Sequence, residues 1–207
     1  MLQSKFIPAS APAGRRLMIV LHGLGDSMEG WLWLPGALEL PWLNFLLVNA
    51  PNPYYGGWAW YDIDSGAGVA ASRELLFQLL DGLKDYPADQ IVLCGFSQGC
   101  LMAVEVGARY PRRLAGIVGI SGYVHEPEEL LRELSPVARQ QRFLLTHGTH
   151  DPMLPIQMTR RQVSLLQKGG LKIDWREFVK GHTVAGEEEM AVVRQFVRDC
   201  YAETAKE

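Results

Sequence analysis

The sequence has few cysteines, no large excess of charge of either sign and no long hydrophobic run. Its 207 residues include 3 cysteines, 20 basic side chains and 23 acidic ones, for a net charge of −3. Three cysteines cannot close an even set of disulfides, which argues against a small disulfide-stapled scaffold and for a reducing compartment. The charge balance does not favour a nucleic acid or an anionic membrane as a partner.

Membrane and metal signatures are also missing. No apolar run approaches the roughly 20 residues that a membrane-spanning helix needs. The opening segment, MLQSKFIPASAPAGRR, lacks the apolar stretch of a secretory signal. We therefore expect a cytoplasmic protein without stable membrane insertion. No pair of His, Cys or acidic residues at ligand spacing lies next to another, so no metal is expected. No other cofactor is expected.

Short apolar runs and helical patterns alternate along the chain. The candidate strands are 16–23, 44–51, 91–97, 115–122, 142–148 and 173–179. The candidate helices are 66–84, with Asp62 or Ser65 as its cap, and 98–109, 155–168 and 186–202. Most strand runs are continuously apolar, as expected for parallel strands covered on both faces. The alternation predicts an α/β fold in which a mostly parallel central sheet carries helices on both faces, as a single domain over residues 1–207.

The stretch CGFSQGC, residues 94–100, contains the pattern G-x-S-x-G around Ser97. A structural serine in a glycine-rich turn would give the same letters. Here, however, a buried strand ends just before Ser97 and a helix begins at Gln98. This strand–turn–helix context is the one in which such a serine serves as a nucleophile.

An acid and a histidine follow the ends of two other predicted strands. Asp151 lies in HGTHDPMLP after the strand 142–148, and His182 lies in VKGHTV after the strand 173–179. The order Ser, Asp, His is that of an α/β-hydrolase triad, in which the imidazole takes the serine proton and the carboxylate orients the imidazole. The alternatives are a turn-forming Asp151 before Pro152 and a surface histidine. His22 and His147 precede glycines and are interpreted as loop braces.

Acyl transfer also needs two N–H donors for the oxyanion that develops. We expect one from Gln98, at the start of the helix, and one from the loop HGLGD, most readily Leu24. Trp60 and Tyr61, in an aromatic segment, are predicted to contribute to substrate binding, with core packing as the alternative. Met153 and Leu154 follow the acid and are predicted to contact substrate.

Several segments together resemble the acyl-protein thioesterase/carboxylesterase family of small α/β-hydrolases. They are HGLGDSMEGW (22–31), WYDI (60–63), GFSQG (95–99), HGTHDPMLP (147–155) and GHTV (181–184). The resemblance covers nearly the whole chain and implies an α/β-hydrolase fold without a separate lid domain. It implies a Ser97–Asp151–His182 triad, an oxyanion hole of Leu24 and Gln98, and hydrolysis of small-molecule or acyl-protein esters and thioesters. Cys100 departs from the family pattern, which usually has glycine there.

Other functions remain as alternatives at this stage. The substrate could be a lysophospholipid or an amide, a homodimer is an option, and a non-catalytic module could use the same pocket to bind a ligand. A complete triad argues against pure binding, because a binder does not need all three groups. The segment GAGVAA (66–71) fits a dinucleotide fingerprint but does not directly follow a strand, so nucleotide binding is not favoured.

Overall fold

The computed structural model describes residues 2–12 and 14–204, with side chains up to residue 202. Within those residues the strands are β1 (Ser4–Ile7), β2 (Leu17–Leu21), β3 (Asn44–Val48), β4 (Asn52–Tyr54), β5 (Gly57–Ala59), β6 (Ile91–Phe96), β7 (Gly116–Ile120), β8 (Arg142–Gly148) and β9 (Lys172–Phe178). The α-helices are α1 (Leu34–Leu38), α2 (Val69–Gly82), α3 (Gln98–Arg109), α4 (Pro127–Arg132), α5 (Ile156–Lys168) and α6 (Gly186–Thr204). None of these helices is long and apolar enough to cross a membrane.

A mostly parallel sheet organises the molecule. Its strand order is β1-β3-β2-β6-β7-β8-β9, and only β1 runs antiparallel, against β3. The neighbouring pairs from β3 to β9 are all parallel, so the chain must cross over the sheet between strands, and helices provide most of these crossovers. All the parallel strands therefore end at the same edge of the sheet, which is where side chains for a site can meet.

Both faces of the sheet are covered, as the apolar runs predict. In β2, Leu17 and Ile19 pack into the core cluster that includes residues of α2, α3 and α5. The alternate residues Met18 and Val20 pack into a second cluster that includes residues of α1 and α6. Because successive side chains of a strand point to opposite faces, this division confirms the prediction of helices on both sides.

The elements that the sequence did not predict are short or exposed. The edge strand β1 is largely exposed, and β4 and β5 form a separate hairpin within the aromatic segment. The predicted cap of the first long helix is wrong. Helix α2 begins later, with Gly68 as its N-cap, while Asp62 accepts hydrogen bonds from the backbone and hydroxyl of Ser65 in the preceding turn.

Candidate active site

Ser97 occupies a strained turn between β6 and α3. Its φ of 52° and ψ of −114° are unusual for a residue that carries a side chain. Two glycines make the turn possible. A Cβ on Gly95 would lie 2.0 Å from the carbonyl oxygen of Gly99, and one on Gly99 would lie 2.2 Å from that of Leu21. The Ser97 N–H donates to the carbonyl of Ile120 at 2.9 Å, which fixes the turn over the neighbouring strand.

The structure brings Ser97, His182 and Asp151 into one chain of hydrogen bonds. His182 Nε2 lies 2.9 Å from Ser97 Oγ, and His182 Nδ1 lies 2.7 Å from Asp151 Oδ2. Since a carboxylate accepts only, Nδ1 carries the proton and Nε2 can accept the serine hydroxyl. The three residues follow the ends of β6, β8 and β9, so the parallel sheet assembles them from distant parts of the chain.

Asp151 is kept ionised by its surroundings. Its burial alone would raise the pKa of this carboxyl, but the N–H groups of Leu154 and Met153 and the His182 imidazole together hold the pKa below its ordinary value. Both N–H groups donate to Asp151 Oδ1 at 2.9 Å. The carboxylate therefore keeps one oxygen in a fixed turn and presents the other to His182.

His147 braces this acid loop, as the sequence predicted. Its ring is fully buried, and Nε2 donates to the carbonyl of Leu154 at 2.9 Å. Burial lowers the pKa of His147, despite opposing contributions from that hydrogen bond and from Asp151. A neutral His147 thus closes the turn from Asp151 to Leu154 without adding charge beside the carboxylate.

The loop that carries His182 is anchored by a buried ion pair. Lys180 Nζ lies 2.6 Å and 2.7 Å from the two carboxylate oxygens of Glu189, and the two side chains are only 2% and 0% exposed. Glu189 also accepts the N–H of Ala185 at 2.7 Å. The ion pair therefore ties both flanks of His182 to the first turn of α6.

A hydroxyl adds a further contact to the same loop. Ser121, fully buried with φ of 50°, donates through Oγ to the carbonyl of Thr183 at 3.2 Å. Sequence reasoning missed Lys180, Glu189 and Ser121. One signal was present for Glu189, because it lies four residues before Val193 on the apolar face of α6, where an acid needs a partner.

The two segments that carry the predicted oxyanion donors, Leu24 and Gln98, adjoin Ser97. A Cβ on Gly23 would lie 3.3 Å from Ser97 Cβ, so the loop after β2 passes directly beside the serine. Among the described residues, neither Leu24 nor Gln98 has an acceptor for its backbone N–H. The first N–H groups of a helix have no partner within it, which accounts for Gln98. The roles of Leu24 and Gln98 as oxyanion donors stay predictions.

The aromatic residues predicted to bind substrate lie in the core. Trp60 is 0% exposed and Tyr61 is 1% exposed, and the Tyr61 hydroxyl is hydrogen-bonded to that of Tyr123 at 3.0 Å. Neither ring has surface that a substrate could contact, so the core-packing alternative describes both. Burial is tolerated because the indole N–H, backbone N–H and carbonyl of Trp60 and the carbonyl of Tyr61 all have partners inside the protein.

Met153 and Leu154, which lie two and three residues after Asp151, are more exposed than Trp60 and Tyr61. Met153 is 68% exposed, and Leu154 is half-buried. Both contribute backbone N–H groups to Asp151, as described above. A contact of either side chain with substrate stays a prediction, favoured for Met153 by its exposure.

Cys100 is a packing residue and not a second nucleophile. Burial raises the pKa of its thiol to about 12. The space for its side chain comes from two glycines, since a Cβ on Gly119 would lie 2.5 Å, and one on Gly122 2.4 Å, from its sulfur. Among the residues that the structure describes, no group of three His, Cys, Asp or Glu could hold a metal ion.

The parallel sheet, the strained serine at its centre and the histidine and acid at neighbouring strand ends define the class as an α/β-hydrolase. Within that class, the chain belongs to the Phospholipase/Carboxylesterase family, whose model matches residues 2–201. The chain is accordingly a hydrolase, and hydrolysis of esters or thioesters is the chemistry of its family.

Individual relatives agree with this family. Acyl-protein thioesterase 1 of Schizosaccharomyces pombe is 34% identical over 200 residues, covering 86% of this chain and 88% of the relative. The crystal structure of esterase PE8 superposes with a TM-score of 0.85 at 26% identity, covering 96% of this chain and 99% of that one. Acyl-protein thioesterase 2 of Zea mays, at 24% identity and a TM-score of 0.80 with coverage of 96% and 98%, shares the fold.

Proposed function

We propose that this protein hydrolyses carboxylic esters or acyl thioesters through a covalent acyl-serine intermediate, with Ser97 as nucleophile. The observation that carries the proposal is the hydrogen-bond chain from Ser97 Oγ through His182 to Asp151. A serine hydroxyl is a weak nucleophile at neutral pH, and a neutral imidazole within hydrogen-bond reach removes that limitation.

In the acylation step, Ser97 Oγ attacks the carbonyl carbon while its proton moves to His182 Nε2. The carbonyl oxygen becomes an oxyanion that accepts hydrogen bonds from the backbone N–H groups of Leu24 and Gln98. When the tetrahedral intermediate collapses, the bond to the alkoxide or thiolate breaks and His182 returns the proton to that leaving group. Asp151 stabilises the imidazolium that exists between these two transfers.

In the deacylation step, a water molecule takes the place of the leaving group. His182 Nε2 accepts a proton from the water as its oxygen attacks the acyl carbonyl. A second tetrahedral intermediate then expels Ser97 Oγ, which recovers the proton from His182. The products are a carboxylic acid and the unchanged enzyme, so the cycle needs no cofactor.

For the substrate, we propose acyl esters and acyl thioesters, including acyl groups on proteins. Relatives named acyl-protein thioesterase 1 support this class, and the exposed Met153 beside the acid offers an apolar contact for an acyl chain. We also propose a cytoplasmic location, because Cys94 and Cys100 are buried thiols outside any disulfide.

The test compares the unaltered protein with Ser97→Ala on p-nitrophenyl esters from acetate to dodecanoate and on acyl thioesters of matched length. We expect turnover that falls at least about 1000-fold in the variant, as removal of a triad nucleophile predicts. The same panel includes a lysophospholipid and an acyl amide. Turnover of those two alone would replace the proposed substrate class. Tight binding of acyl ligands without any turnover would favour a binding module instead.

A further inference from the structure

Trp60 contacts both segments that carry the candidate oxyanion donors. Its indole N–H donates to the carbonyl of His22 at 2.9 Å, on the loop that leads to Leu24. Its backbone N–H donates to the side-chain oxygen of Gln98 at 3.0 Å. One buried residue, from a segment distant in sequence from both, thus joins the loop after β2 to the start of α3.

On the loop side, hydrogen bonds fix two consecutive peptide planes, and the second of them contains the N–H of Leu24. The first, between His22 and Gly23, is fixed by the Trp60 indole. The second, between Gly23 and Leu24, is fixed because His22 Nδ1 lies 2.6 Å from the carbonyl oxygen of Gly23. In a trans peptide the C=O and N–H point in opposite directions. Holding the Gly23 carbonyl toward His22 therefore directs the Leu24 N–H the other way.

The histidine must be neutral to do this. Its Nε2 accepts the N–H of Ala50 at 3.1 Å, which leaves the proton on Nδ1 for the Gly23 carbonyl. Burial lowers the pKa of His22, although the hydrogen bond to Gly23 and the nearby acids Asp26 and Glu29 oppose that effect. The fully buried ring is thus held in the tautomer that the Gly23 peptide requires.

On the helix side, the Gln98 side chain is held at both ends. Its oxygen accepts the Trp60 N–H, and its amide nitrogen donates to the carbonyl of Tyr61 at 3.0 Å. The Trp60 carbonyl in turn accepts the buried hydroxyl of Ser72, on α2. These contacts fix the first residue of α3, which directly follows Ser97 and whose backbone N–H is the second proposed donor.

We propose that Trp60 is a positioning residue for the oxyanion hole, acting on Leu24 through His22 and on Gln98 directly. The inference rests on the proposed function, because it assigns Trp60 a role in the same acyl transfer. This positioning role replaces substrate contact as the explanation for a tryptophan at position 60. An oxyanion hole works only if its donors are fixed before the charge develops, and Trp60 fixes both donors relative to each other.

The decisive variant is Trp60→Phe, which keeps a buried ring and removes the indole N–H. Loss of one complete oxyanion donor costs about 100- to 1000-fold in kcat. A displaced donor should cost less, and we expect kcat to fall about 10- to 100-fold while KM changes by less than about threefold. The inhibition constant of an alkyl trifluoromethyl ketone, whose adduct with Ser97 carries an oxyanion, should rise in proportion.

Tyr110→Phe provides the matched control. Tyr110 is 1% exposed and belongs to the same core cluster as Trp60. It lies at the opposite end of α3 from Ser97, and its hydroxyl donates to Asp81 at 2.9 Å. This variant should lose stability but keep kcat and the inhibition constant. Equal losses of kcat in Trp60→Phe and Tyr110→Phe would show a merely structural role and overturn the proposal.

A second pair of variants keeps the test decisive if Trp60→Phe does not fold. The side-chain nitrogen of His22→Asn can replace Nδ1 as donor to the Gly23 carbonyl, whereas His22→Leu has no donor. We expect His22→Asn to retain at least about tenfold more kcat than His22→Leu. Equal activity of the two would contradict the peptide-plane argument.

The outcome also separates the two levels of the argument. If the unaltered protein turns over esters or thioesters and Ser97→Ala does not, the proposed function stands. If kcat and the inhibition constant of the trifluoromethyl ketone are both unchanged in Trp60→Phe, only the positioning role is refuted. An unaltered protein that fails on every substrate would refute the proposed function itself.

Discussion

The two sides of the active site are held by different kinds of interaction. On the oxyanion side, Trp60, His22 and Gln98 form neutral hydrogen bonds inside an aromatic core. On the histidine side, a buried ion pair between Lys180 and Glu189 anchors the loop. The contrast shows that the two sides of one site can depend on polar contacts whose loss costs very different amounts of free energy. A neutral hydrogen bond contributes about 1 kcal/mol net, whereas breaking a buried ion pair leaves an unpaired charge in the interior.

The position of each segment in the fold explains the difference. The loop after β2 lies near the middle of the sheet, beside the start of α3, and its backbone exchanges hydrogen bonds with Trp58 of the hairpin β4–β5. The loop of His182 follows β9, the edge strand, which pairs with β8 alone. With a sheet neighbour on one side only, this loop takes further contacts from Ser121 and from Glu189 on α6. The ion pair supplies a strong, directional tie at that point.

The largest effect should come from breaking the ion pair. Lys180→Met fills a similar volume but leaves Glu189 buried without its partner, and we expect a loss of about 3 to 5 kcal/mol in the free energy of unfolding. Because the loop carries His182, kcat should fall as well. Urea unfolding and ester turnover measure the two effects.

The double variant Lys180→Met/Glu189→Gln sharpens this prediction. Glutamine removes the stranded charge and can still accept the N–H of Ala185. Most of the lost stability should therefore return, since replacing both members of a buried ion pair is often close to neutral. If Lys180→Met alone unfolds at the urea concentration of the unaltered protein, the ion pair does not anchor the loop.

A smaller effect is expected for the neutral contact on the histidine side. Ser121→Ala removes the hydroxyl that donates to Thr183 and should cost about 1 kcal/mol. Ser121→Gly loses the same hydrogen bond but suits the left-handed backbone at φ of 50°. The glycine variant should therefore be at least as stable as the alanine variant in urea unfolding. A less stable glycine variant would show that the backbone at Ser121 is not strained.

The most gradual effect should be the response to pH. Burial lowers the pKa of both His22 and His147 from the ordinary value of 6.5. As pH falls below about 6.5, these histidines become protonated in the unfolded chain but stay neutral in the folded chain. The free energy of unfolding should therefore decrease from there toward pH 5. Urea unfolding at pH 8, 6.5 and 5.5 measures this slope.

His22→Asn separates the contributions of the two sides to that slope. The variant keeps His147 on the histidine side and removes the buried imidazole on the oxyanion side, so its stability should fall less steeply as pH decreases. Equal stability of the unaltered protein at pH 8 and pH 5.5 would mean that neither histidine is held neutral.

Much of the fold could be predicted from local patterns. Six apolar runs correspond to β2, β3 and β6 to β9, because buried parallel strands need continuous hydrophobic sequence. Strand β1 could not be predicted, since an exposed edge strand has no such requirement. The sequence predicts substrate binding for Trp60 and Tyr61, because aromatic residues in a loop suit a pocket as well as a core. Their burial depends on partners from the loop after β2, from α2 and from α3, which no local window contains.

The sequence by itself determined the alternation of strands and helices, the turn that presents Ser97 and the strand ends that carry Asp151 and His182. These follow from hydrophobic periodicity and from glycines at positions that allow no side chain. Only the tertiary structure decided the distances between the three residues, the burial of Trp60 between the two oxyanion segments and the pairing of Lys180 with Glu189. Each of these depends on contacts between residues far apart in the chain, and such contacts exist only after the sheet and its helices have packed.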